Sequence, residues 1–377
     1  MNNFSKSFSR RRFLAGTSSL GALYAAGKFA PLAAFAQSTS MLDDPRISKE
    51  PIADKGFALI RKVGDGAYAL ISDRTKGMQT RSNGGFLIGK DAVFLIEGYQ
   101  TPTGAAFQLD TLRTVTQLPV RAAIDTHWHF DHTLGNSVYG SQSIPVWAHA
   151  LAATRMSAQY LKFQHEDLAT FLAPFEKRVK EAKTDARREH AKSDIEGVSS
   201  LFEPAMSSVL GLPSHPLDPK KMPMKFDLGG MNVVIETYLG HTDTDIIIRV
   251  PDQNIVYAGD LLVNSQYGTN INGFPTAWRA TLAKFAKFDK DTLFVPGHGQ
   301  PCGQEAVALL AAMFDNLAEQ AQKLYKAGVP VEEATERYVV PEKWKGMRMF
   351  SWGFCVGRTI EQHYAEWSGK PGPVLNY

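Results

Sequence analysis

The chain has 377 residues, 44% of them hydrophobic and 21% charged, a globular composition that excludes a disordered chain, a collagen and a coiled coil. Its 41 basic and 38 acidic residues give a net charge of +3, yet Lys6, Arg10, Arg11, Arg12 and Lys28 all fall within residues 1–36, which hold no acid. Without those five, 36 basic residues stand against 38 acidic ones, a net charge of −2, which disfavours nucleic acid as a partner.

Residues 1–36 have the three parts of an export signal: a positive start, an apolar run from Phe13 to Ala34, and small residues at Ala34-Phe35-Ala36. Ser9-Arg10-Arg11-Arg12-Phe13-Leu14 resembles the twin-arginine motif, which sends folded proteins across a bacterial inner membrane. The expectation is a signal peptide over 1–36, the twin-arginine translocase as a partner during export, and a periplasmic mature protein with no membrane span. Cys302 and Cys355 are the two cysteines, too few for a disulfide framework, and whether they pair stays open.

A polar linker is expected over 37–54. Phe57 to Val63, Ala67 to Ser72, Gly85 to Ile88 and Ala92 to Ile96 read as an antiparallel meander with turns at Gly64-Asp65-Gly66, Asn83-Gly84 and Lys90-Asp91. Pro102 to Gln117 has helical spacing, and Val120 to Ile124 is the next strand. A second set follows the same order: strands near 231–236, 246–250 and 255–257, a helix at about 276–288, and a strand at 293–295. Two similar halves predict two sheets face to face with helices outside, an α/β protein of αββα sandwich type. The main domain is expected over 55–330, with a C-terminal helical extension over 331–377. Between the halves, about 150–223 is too long for a plain connection and reads as an insertion at the rim of the site. Its first part, to about Glu196, reads as helices; its second part, with Pro204, Pro213, Pro216, Pro219 and Pro223, reads as extended loop.

The chemistry-bearing segment is Thr126-His127-Trp128-His129-Phe130-Asp131-His132, which follows a predicted strand. Two histidines two apart project to one side of an extended segment and can hold one metal, while Asp131 and His132 are placed to reach a second. Imidazoles and a carboxylate suit zinc, iron or manganese. Trp128 and Phe130 alternate away from these donors, to pack behind them or to touch substrate.

This H-x-H-x-D-H segment resembles the hallmark of the metallo-β-lactamase-fold hydrolases. Three more of that family's signals follow in order, each at a strand end: Gly240-His241-Thr242, Ala258-Gly259-Asp260 and Pro296-Gly297-His298-Gly299. The resemblance implies two divalent cations, zinc first with iron or manganese as alternatives. His127, His129 and His241 would hold one, Asp131, His132 and His298 the other, and Asp260 would bridge them. It further implies a bridging hydroxide as nucleophile, with Asp131 as the catalytic residue that orients it and moves a proton. Where the zinc β-lactamases of the family carry a metal-binding Cys this chain has Asp260, and where they carry a substrate-binding Lys three positions later it has Val263. The expected activity is therefore hydrolysis of an ester, lactone or thioester in a small-molecule substrate. Alternatives are a class B-like β-lactamase and a noncatalytic periplasmic metal-binding or interaction module.

His149, His165, His190, His215 and His363 match no motif and are read as surface or packed residues. Asp243 and Asp245 read either as acceptors for a ligand imidazole or as turn residues. Asn264, Tyr267 and Asn270 read as a solvated loop, with an oxyanion donor as the alternative.

Overall fold

The computed structural model describes residues 43–165 and 167–369; the export signal expected over 1–36 lies outside them. Eight strands form one sheet in sequence order: β1 (Ala53–Asp54), β2 (Ala58–Gly64), β3 (Ala67–Ser72), β4 (Gly84–Ile88), β5 (Val93–Ile96), β6 (Val120–Ile124), β7 (Val146–His149) and β8 (His215–Leu217). Pairing is antiparallel through β5 and parallel from there on. The second sheet runs β13 (Leu293–His298), β12 (Ile255–Val263), β11 (Ile246–Val250), β10 (Asn232–Thr237), β9 (Met224–Asp227), with β12 and β13 parallel.

The period of two along each strand decides the layers. In β5, Phe94 and Ile96 face the other sheet, while Val93 and Leu95 face the helix α1 (Pro102–Val115). In β11, Ile246, Ile248 and Val250 join the same inner core and Ile247 turns outward. Three apolar layers result, so the central strands are apolar at every position and read as runs rather than alternations. Helix α1 begins where Thr101 caps the Gly104 N–H and Pro102 presets the first turn. The fold is the expected αββα sandwich.

After β6 come two short helices, α2 (Phe130–Thr133) and α3 (Asn136–Ser141), and then the insertion: α4 (Ala152–His165), α5 (Leu168–Glu181) and α6 (Asp185–Ser207). The expectation of extended chain after Glu196 is corrected here. Helix α6 runs on to Ser207 with Pro204 inside its last turns, and β8 is a strand despite Pro216. Proline lacks the N–H that would bond back to Ser200, so the Ser200 carbonyl is left for other donors. At the sheet edge Pro216 fits because β8 is the last strand. The insertion packs on an aromatic cluster in which Phe163, Phe171, Val198 and Phe202 meet Phe130 and Phe354.

Helices α7 (Pro275–Phe285) and α8 (Gln304–Lys326) cover the second sheet, followed by α9 (Val331–Arg337), a π-helical turn at Gly353–Gly357, and α10 (Arg358–Ser368). Within the stretch read as a linker, Ile47 is buried against the inner core, and Arg46 pairs with Asp44 at 2.6 Å while donating to the Asp291 carbonyl. Among the described residues no helix is long and apolar enough to cross a membrane. Cys302 and Cys355 are free thiols, buried in separate clusters.

Candidate metal centre

The loop after β6 delivers His127, His129, Asp131 and His132, the last two from the first turn of α2. From the second sheet come His241 after β10, Asp260 inside β12 and His298 at the end of β13. The sequence expectation placed Asp260 beyond its strand; instead β12 continues through it with shifted register against β13. These seven residues converge at one edge of the sandwich, in three groups: His127, His129 and His241; His127, His132 and Asp260; Asp131, His132 and His298.

Two glycines make this approach possible. At Gly297 a Cβ would lie 1.9 Å from Asp260 Oδ1 and 2.8 Å from the Gly259 backbone, and at Gly259, with φ of +50°, it would lie 2.4 Å from Thr126 Oγ1. The glycines of the two motifs are thus spaces that donor atoms need. Asn83 ties the halves together, its Nδ2 donating to the Pro296 and Gly299 carbonyls at 2.9 and 2.7 Å.

His129 Nδ1 lies 3.2 Å from His127 Nε2 and 2.8 Å from His241 Nε2. Asp260 Oδ2 lies 3.5 Å from His241 Nε2 and 3.3 Å from His298 Nε2, and its Oδ1 lies 3.4 Å from His132 Nε2. Asp131 Oδ2 is 3.4 Å from His298 Nε2. Donors about 2.1 Å from one cation in a tetrahedral site stand about 3.4 Å apart, and spacings within the triads, such as 2.8 Å for His129–His241 and 4.0 Å for His132–Asp131, bracket that value.

Each imidazole is oriented by its other nitrogen. His241 Nδ1 meets the Thr269 carbonyl at 3.0 Å, His298 Nδ1 the Arg81 carbonyl at 3.1 Å, and His132 Nδ1 lies 3.1 Å from Glu97 Oε1. His129 Nε2 meets Asn272 Oδ1 at 3.1 Å. Thr126 Oγ1 donates to Glu97 Oε1 at 2.5 Å and so accepts from His127 Nδ1 at 3.1 Å. These outer partners are acceptors, so each outer nitrogen carries a proton; at His127, His129 and His241, which burial keeps neutral, the inner nitrogen then presents a lone pair. Asp260 Oδ1 and both nitrogens of His132 are buried with no hydrogen-bond partner, Nδ1 facing Glu97 as an ion pair; the inward Nε2 and Oδ1 fit groups meant for a cation.

Burial pushes His127, His129 and His241 down, His241 to about 3, and neighbouring imidazoles add to this at His127, leaving all three neutral and able to ligate. Burial also opposes charge on His132 and His298, but it is outweighed by Glu97 and Asp260 at His132 and by Asp260 and Asp131 at His298, so both lie above the ordinary histidine value. Burial resists ionisation of Asp131 and Asp260 as well; His132, His298 and, for Asp131, Arg81 overcome it and hold both carboxylates well below the usual range.

Arg81, Glu97, Thr269 and Asn272 were missed in the sequence because none belongs to a motif, and Thr126, which opens the His-rich segment, was given no role there. Arg81 and Glu97 have φ of 59° and 74°, values seldom adopted by residues with a Cβ and typical of functional sites. Arg81 Nε lies 3.6 Å from Asp131 Oδ2, its ring neighbour is Phe350, and its Nη1 donates to Ser200 Oγ at 2.8 Å and reaches the Ser200 carbonyl at 3.4 Å. Gln100 Nε2 meets the same carbonyl, the one left open by Pro204, at 3.3 Å.

The open alternatives resolve locally. Asp245 accepts from the Thr242 N–H and hydroxyl, and Asp243 pairs with Arg155 of α4, so both hold the chain rather than a ligand ring. Asn264, Tyr267 and Asn270 are buried rather than solvated, Asn264 donating to the Gln300 carbonyl, Tyr267 meeting Tyr338 and Asn270 donating to Thr359. His190 stacks on Trp352, His215 on Trp147 and His363 on Trp367, and His149 accepts from the Leu151 N–H; none of these four joins the cluster. Trp128 packs edge-on to His129 away from the cleft, and Phe130 lines it.

The cleft beside Asp131, Asp260 and His298 encloses about 690 Å³, counting space open to solvent. Gln159, Phe163 and Leu201 bring the insertion to its wall, and Phe350 brings the C-terminal segment.

The sequence profile of the metallo-beta-lactamase superfamily matches residues 79–298. A hydroxyacylglutathione hydrolase of Ruegeria pomeroyi is 30% identical over 115 residues, 29% of this chain and 45% of that protein. A metallo-beta-lactamase type 2 of Bacteroides fragilis is 33% identical over 89 residues, 22% of this chain and 35% of that one. The chain thus spans less than half the length of these curated relatives. Among solved structures, a metallo-beta-lactamase from Pontibacter korlensis aligns with 71% of this chain and 99% of its own, at 17% identity and a TM-score of 0.46.

Proposed function

This chain belongs to the metallo-beta-lactamase superfamily, and from that premise we propose that it is an exported dinuclear-metal hydrolase that cleaves an ester, lactone or thioester. The reading is carried by one observation: five imidazoles each aim one nitrogen inward around Asp260, with the other nitrogen against an acceptor. His127, His129 and His241 would hold one divalent cation and Asp131, His132 and His298 the second, with Asp260 shared. Such cations, zinc in the first place, supply Lewis acidity and a water activated near neutral pH.

The chain's own residues do the rest. Asp131, ionised and steadied by Arg81, faces the cleft and is the group that aligns the attacking water and passes a proton toward the leaving group. Phe130, Phe163, Val263 and Ile271 give the cleft an apolar wall that limits water around the reacting bond. Val263 also bears on the β-lactam reading, because an alkyl group stands where a cation for the antibiotic carboxylate would be expected.

The test is a zinc-loaded panel of a chromogenic cephalosporin, a lactone, an aryl ester, a thioester and a phosphotriester, with His127→Ala alongside. Turnover of an acyl substrate that is lost in His127→Ala supports the reading; cephalosporin as the best substrate replaces it with the β-lactamase one. Bound zinc with no turnover of any member favours a noncatalytic module. For export, residues 1–36 fused to a folded reporter should reach the periplasm only in cells that have the twin-arginine translocase.

A further inference from the structure

Beyond the seven expected ligands, the cleft continues into a second cavity, and Arg74, Arg81, Gln266 and His298 lie on the walls of both. Arg348 of the C-terminal segment joins them in the second cavity. Its place is fixed by backbone: the Tyr267 N–H donates to the Arg348 carbonyl at 2.8 Å, and Gln266 and Arg348 form a parallel bridge. Gln266 Oε1 in turn accepts from Arg74 Nη2 at 3.3 Å. Three guanidinium groups, two from the β3–β4 loop and one from the C-terminal segment, are therefore gathered next to the cluster.

Their charges are unequally matched. Arg81 is offset by Asp131, but neither Arg74 nor Arg348 has a carboxylate within ion-pair distance among the described residues. Of the acids on the same wall, Asp73 pairs with Lys76 at 3.1 Å, and Asp54 accepts from the Gly56 N–H. Burial and the charges of Arg348 and Arg81 bring Arg74 down to about 10, with Asp131 and Asp260 opposing from beyond ion-pair distance, so it stays protonated at neutral pH without a direct carboxylate partner. Gathering like charges beside one another is unfavourable unless an anion completes the set. Guanidinium groups offer the planar fork that a carboxylate fills with two hydrogen bonds.

We propose that Arg74 and Arg348 form a receptor for a carboxylate carried by the substrate away from the scissile bond, so that the enzyme acts on anionic acyl compounds. This rests on the hydrolase reading and narrows it to a substrate class. The anion receptor lies on the β3–β4 loop and the C-terminal segment, and its Arg74 shares the wall of the cleft with apolar Val263.

The test compares p-nitrophenyl acetate with mono-p-nitrophenyl glutarate, which share a leaving group and differ by one carboxylate. The zinc-loaded protein should prefer the glutarate ester at least tenfold in kcat/KM. The Arg74→Gln/Arg348→Gln double variant should lower that preference roughly ten- to a hundredfold, chiefly through KM, since the lost contact is made before and during reaction alike. Equal loss on both esters, or no loss on either, overturns the proposal. Calorimetric binding of glutarate needs no turnover and separates the two readings. If neither ester is cleaved but glutarate binds the wild type and binds the double variant at least tenfold more weakly, the receptor stands and the hydrolase reading falls. If glutarate binds both proteins equally or neither, with no ester preference, the receptor is rejected. Zinc content and the circular dichroism of the variant, unchanged, show that the centre and fold are intact.

Discussion

Arg81 takes its position from Ser200: it donates to the Ser200 hydroxyl at 2.8 Å and reaches the Ser200 carbonyl at 3.4 Å. That carbonyl is open because Pro204, one turn later in α6, has no N–H to occupy it. The insertion thereby holds the residue that steadies Asp131. Arg81 and Asp131 form a largely buried ion pair at 3.6 Å, and removing one partner of such a pair costs about 3 kcal/mol or more, so Arg81→Gln should cut kcat about a hundredfold or more. Ser200→Ala, which leaves the carbonyl contact, should cost about two- to tenfold. Steady-state rates at saturating aryl ester, with zinc content measured on each variant, check both; a change in zinc content rather than kcat would mean that Arg81 serves metal retention.

Glu97 connects Thr126, and through it His127, with His132. Outer partners of this kind contribute about ten- to a hundredfold to metal affinity. Glu97→Gln should weaken zinc binding by about that factor, measured by competition with a chromogenic chelator, while Thr126→Val should weaken it less, since His132 keeps its partner. Equal affinity in Glu97→Gln and wild type would remove Glu97 from this role.

Gly297→Ala tests the space between the motifs. A Cβ there meets Asp260 Oδ1 and the backbone of Gly259 and Asp260, so the carboxylate shared by both triads must move. Zinc stoichiometry should fall below two per chain and activity should drop at least about a hundredfold, with the far-UV spectrum preserved. Full stoichiometry and activity would show that the loop gives way instead.

Cys355 is buried, and burial raises its thiol from 9.0 to about 11. In the folded chain the proton is kept through that window, whereas the unfolded thiol releases it, so folding stability falls as pH rises from about 9 to about 11. Two units correspond to roughly 2–3 kcal/mol. The denaturant midpoint of wild type should therefore drop more across that range than that of Cys355→Ser. In the native state at pH 8, neither Cys302 nor Cys355 should react with a thiol reagent until denaturant is added.

The cluster of candidate donors was legible because metal chemistry demands particular side chains at particular spacings. His127, His129, Asp131 and His132 sit within six consecutive residues, and His241, Asp260 and His298 each follow or accompany a strand with a glycine before them. Glu97 and Arg81 carry no such signature: their roles come from left-handed backbone and from contacts with residues 29 and 119 positions away. Strand β8 was hidden because Pro216 argues against a strand, and only its edge position makes proline harmless. Helix α6 was cut short in the reading for the same reason, since Pro204 signals an end that packing against Phe130 and Phe354 overrides.

The seven donor residues lie between positions 127 and 298, four from the loop beyond the first sheet and three from the second. During synthesis the first four emerge long before His298, and a complete set of donors exists only once β13 has docked beside β12. A chain carried across the inner membrane already folded would meet its metals in the cytoplasm, before it leaves. The cation found in the purified protein would then record the compartment where the chain folds, more than the order of affinities that its imidazoles and carboxylates would express in open competition.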